Sequence, residues 1–361
     1  MKKFDAVVFD MDGVIFDSEM AVMKCWLEIA EKYGIKDIEE PYLACTGTNA
    51  ARTKEIMLEA YGEDFPYDLY AKEASEMYHE RYDGGRLPVK PGVTEILDFL
   101  KAEKKKIALA SSTRRETVIN QLRDANILDY FDEVITGDMV QKSKPEPDIF
   151  LLACERLGVD PENAYAIEDS YNGIRSAFRG GLMPIMVPDL IPADNEMRRC
   201  AVAVIDDLEG VASYLKGIRI IDSKLKLIPY YPCEDITLKW YQDPVVCRQV
   251  DNIDHVYDLE MLRRMYSYLD SNGSLFYIEY EGKIVGDVSL RDNSEVAIVI
   301  CKDYQNMHIG RRCIYEMIRL AREKKMTSVK ANIYSFNEQS KTMFMSLGFE
   351  QTDDEWYEYR I

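Results

Sequence analysis

The chain has 361 residues and a formal net charge of −19, which favours roughly two or three domains and argues against a nucleic-acid partner. No apolar stretch approaches the roughly 18 residues of a membrane span, and Met1-Lys2-Lys3 leads directly into the first predicted strand, so we expect a cytoplasmic protein with no membrane partner. The eight cysteines form no Cys-x-x-Cys pair, which predicts reduced thiols.

The first predicted element is a buried strand over residues 6–9, followed by the carboxylates Asp10 and Asp12. Open α/β sheets build their sites at the carboxyl ends of their strands. Two acidic residues so close together repel each other unless they share a proton or a cation, and Gly13 allows a turn around one hard metal ion. The alternative is a solvated turn, because Asp-x-Asp-Gly also occurs in loops.

Helical patterns follow over residues 20–33, 50–61 and 68–82, each ended by glycine. This block interrupts two strands of one sheet. We therefore predict a helical cap, at about residues 17–87, inserted after the first strand.

Three further motifs lie in the resumed α/β pattern. A strand over 106–110 ends at Ser111, whose hydroxyl can donate to a phosphate oxygen. Lys144 precedes a helix start bounded by prolines, and a strand over 164–168 ends in Glu168 and Asp169. Additional strands are predicted over 133–136, 184–187 and 202–205.

In this order and spacing, the four motifs resemble those of the haloacid dehalogenase (HAD) superfamily over about residues 1–217. The resemblance implies a Rossmann-like α/β core with an inserted cap that closes over the site. It also implies that Asp10 is a nucleophile forming an aspartyl-phosphate, that Asp12 is the general acid and base, and that Ser111 and Lys144 hold the phosphoryl group. The implied Mg²⁺ ligands are Asp10, the Asp12 carbonyl and Asp169, with Glu168 as an additional or outer ligand.

Within that family, Asp12 favours phosphate esters over dehalogenation. The chain is similar to the subfamily of β-phosphoglucomutase and small sugar-phosphate phosphatases. Val22 stands where the mutase has a cap histidine, and Thr46-Gly47-Thr48-Asn49-Ala50 replaces its basic cap loop. These differences favour a phosphatase of a small phosphorylated metabolite, with a phosphomutase as the alternative.

The second half has a different pattern. We interpret residues 218–232 as a linker and 233–361 as a separate domain. A helix is predicted over about 252–269, a hairpin over 275–280 and 283–290, and a strand over 295–301. After that strand, a glycine-bearing turn opens into a helix, where free backbone N–H groups and the positive helix end favour a pyrophosphate.

That turn, with Asn337 to Phe344 and Leu347-Gly348-Phe349, resembles the GNAT family of acyl-CoA-dependent N-acyltransferases. The resemblance implies an α+β domain that binds acetyl-CoA and an amine acceptor. The family loop runs Q/R-x-x-G-x-G/A; Gln305 and Gly310 match its ends, but His308 replaces the first glycine. The implied cofactor-binding residues are Gln305, Asn306, Met307, His308, Ile309, Gly310, Arg311, Asn337 and Ser340.

Catalytic groups in this domain are less evident. Glu295 is the candidate general base, with Glu279 as a weaker one, and either could be a plain surface carboxylate. The catalytic tyrosine of many family members corresponds to Phe344, with Tyr334 as a possible substitute. A set of basic residues along the following helix suits a phosphate-rich cofactor, although a solvated helix face explains them equally well: Arg311, Arg312, Arg319, Arg322, Lys324, Lys325 and Lys330.

Three hypotheses follow. The chain is a bifunctional phosphatase and acetyltransferase, on phosphorylated amino sugars or other small phosphorylated metabolites; or a phosphatase joined to a non-catalytic module that senses acyl-CoA; or a mutase in place of the phosphatase.

Overall fold

The computed structural model describes residues 4–46 and 50–361 and divides into two compact units, Met1–Ala212 and Ser213–Ile361. The first unit is built on a parallel sheet and the second on antiparallel sheets, which confirms the predicted α/β class with a separate α+β domain. Within the described residues, every helix is too short or too polar to serve as a membrane span.

The first unit contains one six-stranded sheet with the order β3-β2-β1-β4-β5-β6. Its strands are β1 (Ala6–Phe9), β2 (Lys106–Ser111), β3 (Glu133–Thr136), β4 (Ala164–Glu168), β5 (Met183–Met186) and β6 (Ala203–Val204). All neighbours are parallel, and β1 is fully buried between β2 and β4. A strand with two parallel neighbours and both faces covered must be apolar throughout, as β1 is. The carboxyl ends of β1, β2 and β4 therefore meet at one edge.

Ten α-helices accompany this sheet in the part of the unit that the structure describes. They are α1 (Ser18–Tyr33), α2 (Glu39–Cys45), α3 (Ala50–Tyr61), α4 (Tyr67–Tyr82), α5 (Val93–Ala102), α6 (Arg115–Asp124), α7 (Asp148–Leu157), α8 (Tyr171–Arg179), α9 (Met197–Cys200) and α10 (Leu208–Leu215). Helices α1 to α4 form the cap between β1 and β2, and they have their own core, in which Trp26, Ile29 and Met57 are buried. Helix α2 was not predicted from the sequence; it carries Pro41 in its first turn, where proline is tolerated.

The second unit has two antiparallel sheets, with orders β11-β10-β9-β8-β7 and β12-β14-β13. Its strands are β7 (Arg219–Ile220), β8 (Leu225–Pro229), β9 (Gly273–Tyr280), β10 (Lys283–Arg291), β11 (Val296–Ile300), β12 (Ser328–Asn332), β13 (Glu350–Asp353) and β14 (Trp356–Arg360). The linker prediction for residues 218–232 is wrong, because β7 and β8 lie there and pair into the sheet. Leu225 and Leu227 alternate into the core, which makes this segment a strand.

The helices of the second unit are α11 (Glu234–Tyr241), α12 (Pro244–Asp251), α13 (Leu259–Ser271), α14 (Ile309–Glu323) and α15 (Glu338–Ser346). The helix predicted over 252–269 begins later than expected. Asn252 ends α12 in the left-handed conformation, and the Asp258 side chain caps α13 by accepting from the Met261 N–H at 2.7 Å. The predicted hairpin is confirmed as β9 and β10.

Candidate active sites

The carboxyl edge of the first sheet brings three of the predicted residues into direct contact. Lys144 Nζ donates to Asp10 Oδ1 at 2.5 Å, to Glu168 Oε1 at 2.7 Å and to the Ala110 carbonyl at 3.1 Å. An ammonium has three N–H groups, so these contacts use its whole donor capacity. Burial would lower the pKa of Lys144, but Asp10 and Glu168 raise it, so this side chain stays charged.

The second carboxylate oxygen of Glu168, Oε2, also accepts hydrogen bonds. The backbone N–H and the hydroxyl of Ser170 each donate to Glu168 Oε2 at 3.0 Å. Ser170 also caps α8 by accepting from the Gly173 N–H at 3.1 Å. A side chain at Gly173 would overlap the Glu168 carboxylate, so glycine is needed for this close approach.

Carboxylate oxygens of Asp10, Glu168 and Asp169 lie within 4.8 Å of one another, and all three residues are buried. Burial and the neighbouring carboxylates raise the pKa of Asp169 well above its usual range, and burial raises that of Asp10. Lys144 supplies one positive charge to three acids. This oxygen-only, electron-rich set fits a hard divalent cation such as Mg²⁺. Gly13, with φ of +75°, packs so closely that a Cβ would overlap the Asp169 carboxylate.

Asp12 has a separate environment. The Ser18 hydroxyl donates to Asp12 Oδ1 at 2.7 Å, and the Thr113 hydroxyl donates to Oδ2 at 2.9 Å. Ser111 Oγ lies 3.5 Å from the same Oδ2 and accepts from the Thr113 N–H at 3.1 Å. Sequence reasoning missed Thr113 and Ser18. The run of hydroxyl residues after β2 was the only signal for Thr113.

A cavity of about 640 Å³ opens over these groups. Its floor includes Asp10, Asp12, Lys144, Glu168 and Asp169, and its cap side includes Val22. Ser112 and Thr113 line the cavity, whereas Ser111 is fully buried beneath it. Of the cap loop singled out in the sequence, residues 47–49 lie outside the described residues.

The cap also places a carboxylate that sequence reasoning missed. Glu19, in the first turn of α1, lines the cavity, and its Oε2 lies 3.5 Å from the Tyr42 hydroxyl. Burial, together with the charges of Asp12 and Asp189, raises the pKa of Glu19 to about 7. Asp189 itself pairs with Lys90 at 2.5 Å. The periodicity of α1 does not distinguish the half-buried Glu19 from the exposed carboxylates of that helix.

The second unit has a cavity of about 700 Å³ where its two sheets diverge. Glu295, the residue before β11, forms a parallel bridge with Lys330 in β12, and residues of both strands line the cavity. The predicted cofactor residues that line it are Gln305, Asn306, His308, Ile309, Gly310, Arg311, Asn337 and Ser340. Met307 does not line it and is 44% exposed.

The turn before α14 adopts an unusual backbone for its sequence. Asn306 and His308 both have positive φ, of 64° and 58°, and His308 is the N-cap of α14. Glycine would adopt this conformation without strain, which explains the family preference for it at the position of His308. Ile309, Gly310 and Arg311, in the first turn of α14, line the cavity, and the N–H groups of a first helical turn have no partner within the helix.

Several basic residues of α14 already have partners. Arg312 pairs with Asp222, and Arg319 pairs with Glu316 at 2.9 Å. The Arg322 guanidinium donates to the Tyr359 hydroxyl at 3.0 Å. Part of the predicted positive charge is therefore paired with carboxylates within the unit, and Arg311 is the basic side chain of α14 that lines the cavity among the described residues.

The predicted catalytic groups of the second unit lie elsewhere. Glu295 pairs with Arg291 at 2.9 Å and is not among the described residues that line the cavity. Glu279 pairs with Lys226 at 2.7 Å, and Tyr334 stacks on Phe336 with 5.8 Å between ring centroids. Phe344 does line the cavity. The ionisable side chains in its described lining are Tyr304, His308, Arg311 and Glu338.

Comparisons with known proteins agree with this division. Residues 4–181 match the family model for haloacid dehalogenase-like hydrolases, and residues 237–349 match that for the acetyltransferase (GNAT) family. The chain is 35% identical over 216 residues to a phosphorylated carbohydrates phosphatase of Thermotoga maritima, covering 59% of this chain and 99% of that protein. It is 33% identical over 189 residues to the beta-phosphoglucomutase of Bacillus subtilis, covering 50% of this chain and 82% of that protein.

Among solved structures, the chain is similar to a HAD family hydrolase from Deinococcus radiodurans R1 with bound phosphate and sodium. The TM-score is 0.51 at 24% identity, and the match covers 59% of this chain and 96% of that one. At this identity the likeness bears on the fold alone.

Proposed function

Since the chain belongs to the haloacid dehalogenase-like hydrolase family in its first unit and carries a GNAT domain in its second, we propose that it is a Mg²⁺-dependent phosphatase joined to an acetyl-CoA-dependent N-acetyltransferase. The phosphatase acts on small phosphorylated metabolites. The observation that carries this proposal is the buried contact of Lys144 with Asp10 and Glu168 beneath an open cavity.

In the proposed reaction, Asp10 attacks phosphorus and forms an aspartyl-phosphate, which water then hydrolyses. Asp12 protonates the leaving alkoxide and later accepts a proton from the attacking water. Ser18 and Thr113 orient Asp12 through opposite oxygens of its carboxylate. Lys144 lies against Asp10 and is placed to stabilise the charge of the transferring phosphoryl group.

Asp10, Asp169 and Glu168 would hold Mg²⁺, together with the Asp12 carbonyl that the family resemblance implies. When bound, the ion neutralises charge on the phosphate and on the carboxylates. The buried acids support this assignment, because one lysine cannot balance three carboxylates.

Two observations favour hydrolysis over mutase chemistry. Val22 lines the cavity where the mutase carries a histidine. A mutase must also hold a second phosphate, yet Lys144 is the single basic residue among the described residues that line the cavity. Positions 47–51, whose side chains lie outside the description, are Gly, Thr, Asn, Ala and Ala and bring no charge. The relative named as a phosphorylated carbohydrates phosphatase also supports a phosphorylated carbohydrate as substrate.

Phosphate release from a panel of phosphorylated metabolites, with Mg²⁺ and with a chelator, tests the first activity. Changing Asp10→Asn keeps the shape and removes the nucleophile, so release should fall by several orders of magnitude. The exposed Asp129→Asn is a matched control. Near-full activity of the Asp10→Asn protein would contradict the mechanism.

For the second unit, the supporting observation is that the turn and the first residues of α14 line one cavity with Asn337 and Ser340. Acetyl-CoA would place its pyrophosphate at the amino end of α14. An amine would attack the acetyl carbonyl carbon, the C–S bond would break, and coenzyme A would leave as the thiol, with the proton that the amine loses. Because Glu295 pairs with Arg291 away from the described lining, a non-catalytic acyl-CoA sensor is a second candidate.

Calorimetric titration of the full-length protein with acetyl-CoA, followed by an acetylation screen of amines, separates these candidates. Acetylation supports the transferase. Binding without acetylation, together with an unchanged affinity in Glu295→Gln, supports the sensor, and no binding at millimolar acetyl-CoA would contradict both.

A further inference from the structure

The cap side of the first cavity is aromatic. Trp26, Tyr42, Tyr67 and Tyr78 line it, and the rings of Trp26 and Tyr67 stack with centroids 5.9 Å apart. The faces of such rings carry negative charge density and attract cations that lie within about 6 Å of the centroid. The leaving group of a substrate would therefore lie beside these aromatic side chains, opposite the phosphate-binding floor.

Two polar groups on the cap side can accept hydrogen bonds from a leaving group. Glu19 lines the cavity with a carboxylate, and Thr46 lines it with a buried Oγ1 that has no hydrogen-bond partner in the part of the chain that the structure describes. A carboxylate accepts hydrogen bonds and cannot donate them, and a hydroxyl can accept as well as donate. A leaving group that donates several hydrogen bonds fits these atoms.

The net charge of the cavity lining is negative and also favours a positively charged leaving group. Asp10, Asp12, Glu19, Glu168 and Asp169 contribute carboxylates to the lining, and Lys144 contributes the one described positive charge. Asp12 is protonated when it acts as the general acid, so Lys144 and a bound Mg²⁺ would leave one negative charge unbalanced when Glu19 is ionised, before a phosphate dianion enters. Attraction between unlike charges strengthens in a partly buried site, so a positive leaving group is favoured and a second anionic group is repelled.

From the aromatic wall, Glu19 and this charge balance, we infer that the preferred substrate of the first unit is the phosphate ester of an amino alcohol or amino sugar, with its ammonium against Glu19 and the cap aromatics. This inference rests on the proposed phosphatase function. The reaction itself is unchanged: the P–O bond breaks, the leaving alkoxide takes a proton from Asp12, and water supplies the hydroxyl that remains on phosphate.

The same charge preference sets the order of the two proposed reactions on a shared substrate, with dephosphorylation before N-acylation. N-acylation turns the ammonium into a neutral amide, which loses the attraction to Glu19 and adds bulk beside the aromatic side chains. The N-acylated ester is therefore a poor substrate, and dephosphorylation acts on the free amine.

Matched esters test this inference on the full-length protein with Mg²⁺. One pair is glucosamine 6-phosphate and glucose 6-phosphate, and the other is 2-aminoethyl phosphate and 2-hydroxyethyl phosphate; each pair differs in one amine for one hydroxyl. We expect kcat/KM for phosphate release to be at least about 10-fold higher for the amine in both pairs. N-acetylglucosamine 6-phosphate should resemble or fall below glucose 6-phosphate.

Changing Glu19→Gln keeps the size of the side chain and removes its charge. The ratio of kcat/KM for amine over hydroxyl should fall towards one in this variant. Glu31→Gln makes the same change on an exposed face of α1 and should keep the ratio of the unmodified protein. Thermal unfolding of both variants verifies that they are folded.

The outcomes separate this inference from the phosphatase proposal. Equal kcat/KM within both pairs, a preference for the hydroxyl esters, or release only from esters without an amine would overturn the charge inference and leave the phosphatase standing. No release from any ester with Mg²⁺ would refute the phosphatase and, with it, the inference. An unchanged amine preference in folded Glu19→Gln would remove Glu19 from its assigned role.

Discussion

Replacing Lys144 by methionine removes the positive charge at the centre of the first site and nearly preserves side-chain length. The ammonium contacts Asp10 at 2.5 Å and Glu168 at 2.7 Å, and its side chain is 8% exposed. Both carboxylates would lose a buried cation in the variant. The perturbation therefore acts on stability and on catalysis, and the two effects can be measured separately.

The expected magnitudes follow from these contacts. Removing one partner of a buried ion pair costs about 3–5 kcal/mol, so the free energy of unfolding of the first unit should fall by about that amount in chelator. Mg²⁺ should restore part of it, because the ion balances the same carboxylates. Loss of one charge-stabilising donor costs about 3–4 kcal/mol in the transition state, which lowers kcat/KM for phosphate release roughly 10²–10³-fold.

Denaturant unfolding with and without Mg²⁺ gives the first quantity, and steady-state phosphate release at saturating Mg²⁺ gives the second. Lys142→Met is the matched control, since Lys142 is exposed two residues earlier. A Lys144→Met protein with kcat/KM within about 5-fold of the unmodified protein would refute the electrostatic role assigned to Lys144.

Three further predictions concern backbone fit, cofactor charge and pH. Gly13→Ala should destabilise the first unit by about 2 kcal/mol or more and weaken Mg²⁺ binding, because the added Cβ would overlap the Asp169 carboxylate. Gly34→Ala is the control: its Cβ would enter open space, so thermal unfolding should show only about 1 kcal/mol of backbone strain. Arg311→Glu should weaken acetyl-CoA binding in calorimetry at least about 10-fold, with a larger effect at low salt. Lys325→Glu, beyond the other end of α14, should leave the affinity unchanged. Equal effects of the two changes would exclude a pyrophosphate site at Arg311. Burial raises the pKa of Asp287 to about 7, so the folded second unit keeps a proton that the unfolded chain releases above pH ~4. This difference contributes roughly 4 kcal/mol to the free energy of unfolding at low pH, and the contribution is lost as the pH rises through 7. Denaturant unfolding at pH 5 and at pH 8 should show a loss of about 2.6 kcal/mol, the part of this stability that remains above pH 5. Asp287→Asn should flatten the pH dependence, and an equal pH slope in both proteins would contradict the role of Asp287.

Local sequence patterns determined the first site to a large extent. A fully apolar strand, β1, must lie inside a parallel sheet, and the residue after it must stand at the carboxyl edge. Once β2 and β4 are recognised, their ends converge on Asp10 for purely geometric reasons. Asp10, Ser111 and Glu168 could therefore be located from strand ends, whereas Lys144 precedes α7 and was recognised with the roles of the others from the family resemblance. In the second unit, the turn between a strand and a helix was equally visible, since it depends on residues close in sequence.

The tertiary structure decided the contacts between residues far apart in the chain. Thr113 orients Asp12 across 101 positions, and Glu19 enters the cavity only because the cap folds over the sheet. Segment 218–232 looked like a linker because its strands are short and broken by prolines, yet pairing with β9 makes β8 part of the sheet. Glu295 looked available as a base until Arg291 paired with it. The periodicity of apolar residues shows which face of a helix or strand is buried. The partner of a polar side chain lies on a distant segment of the chain, and no local sequence pattern identifies that segment.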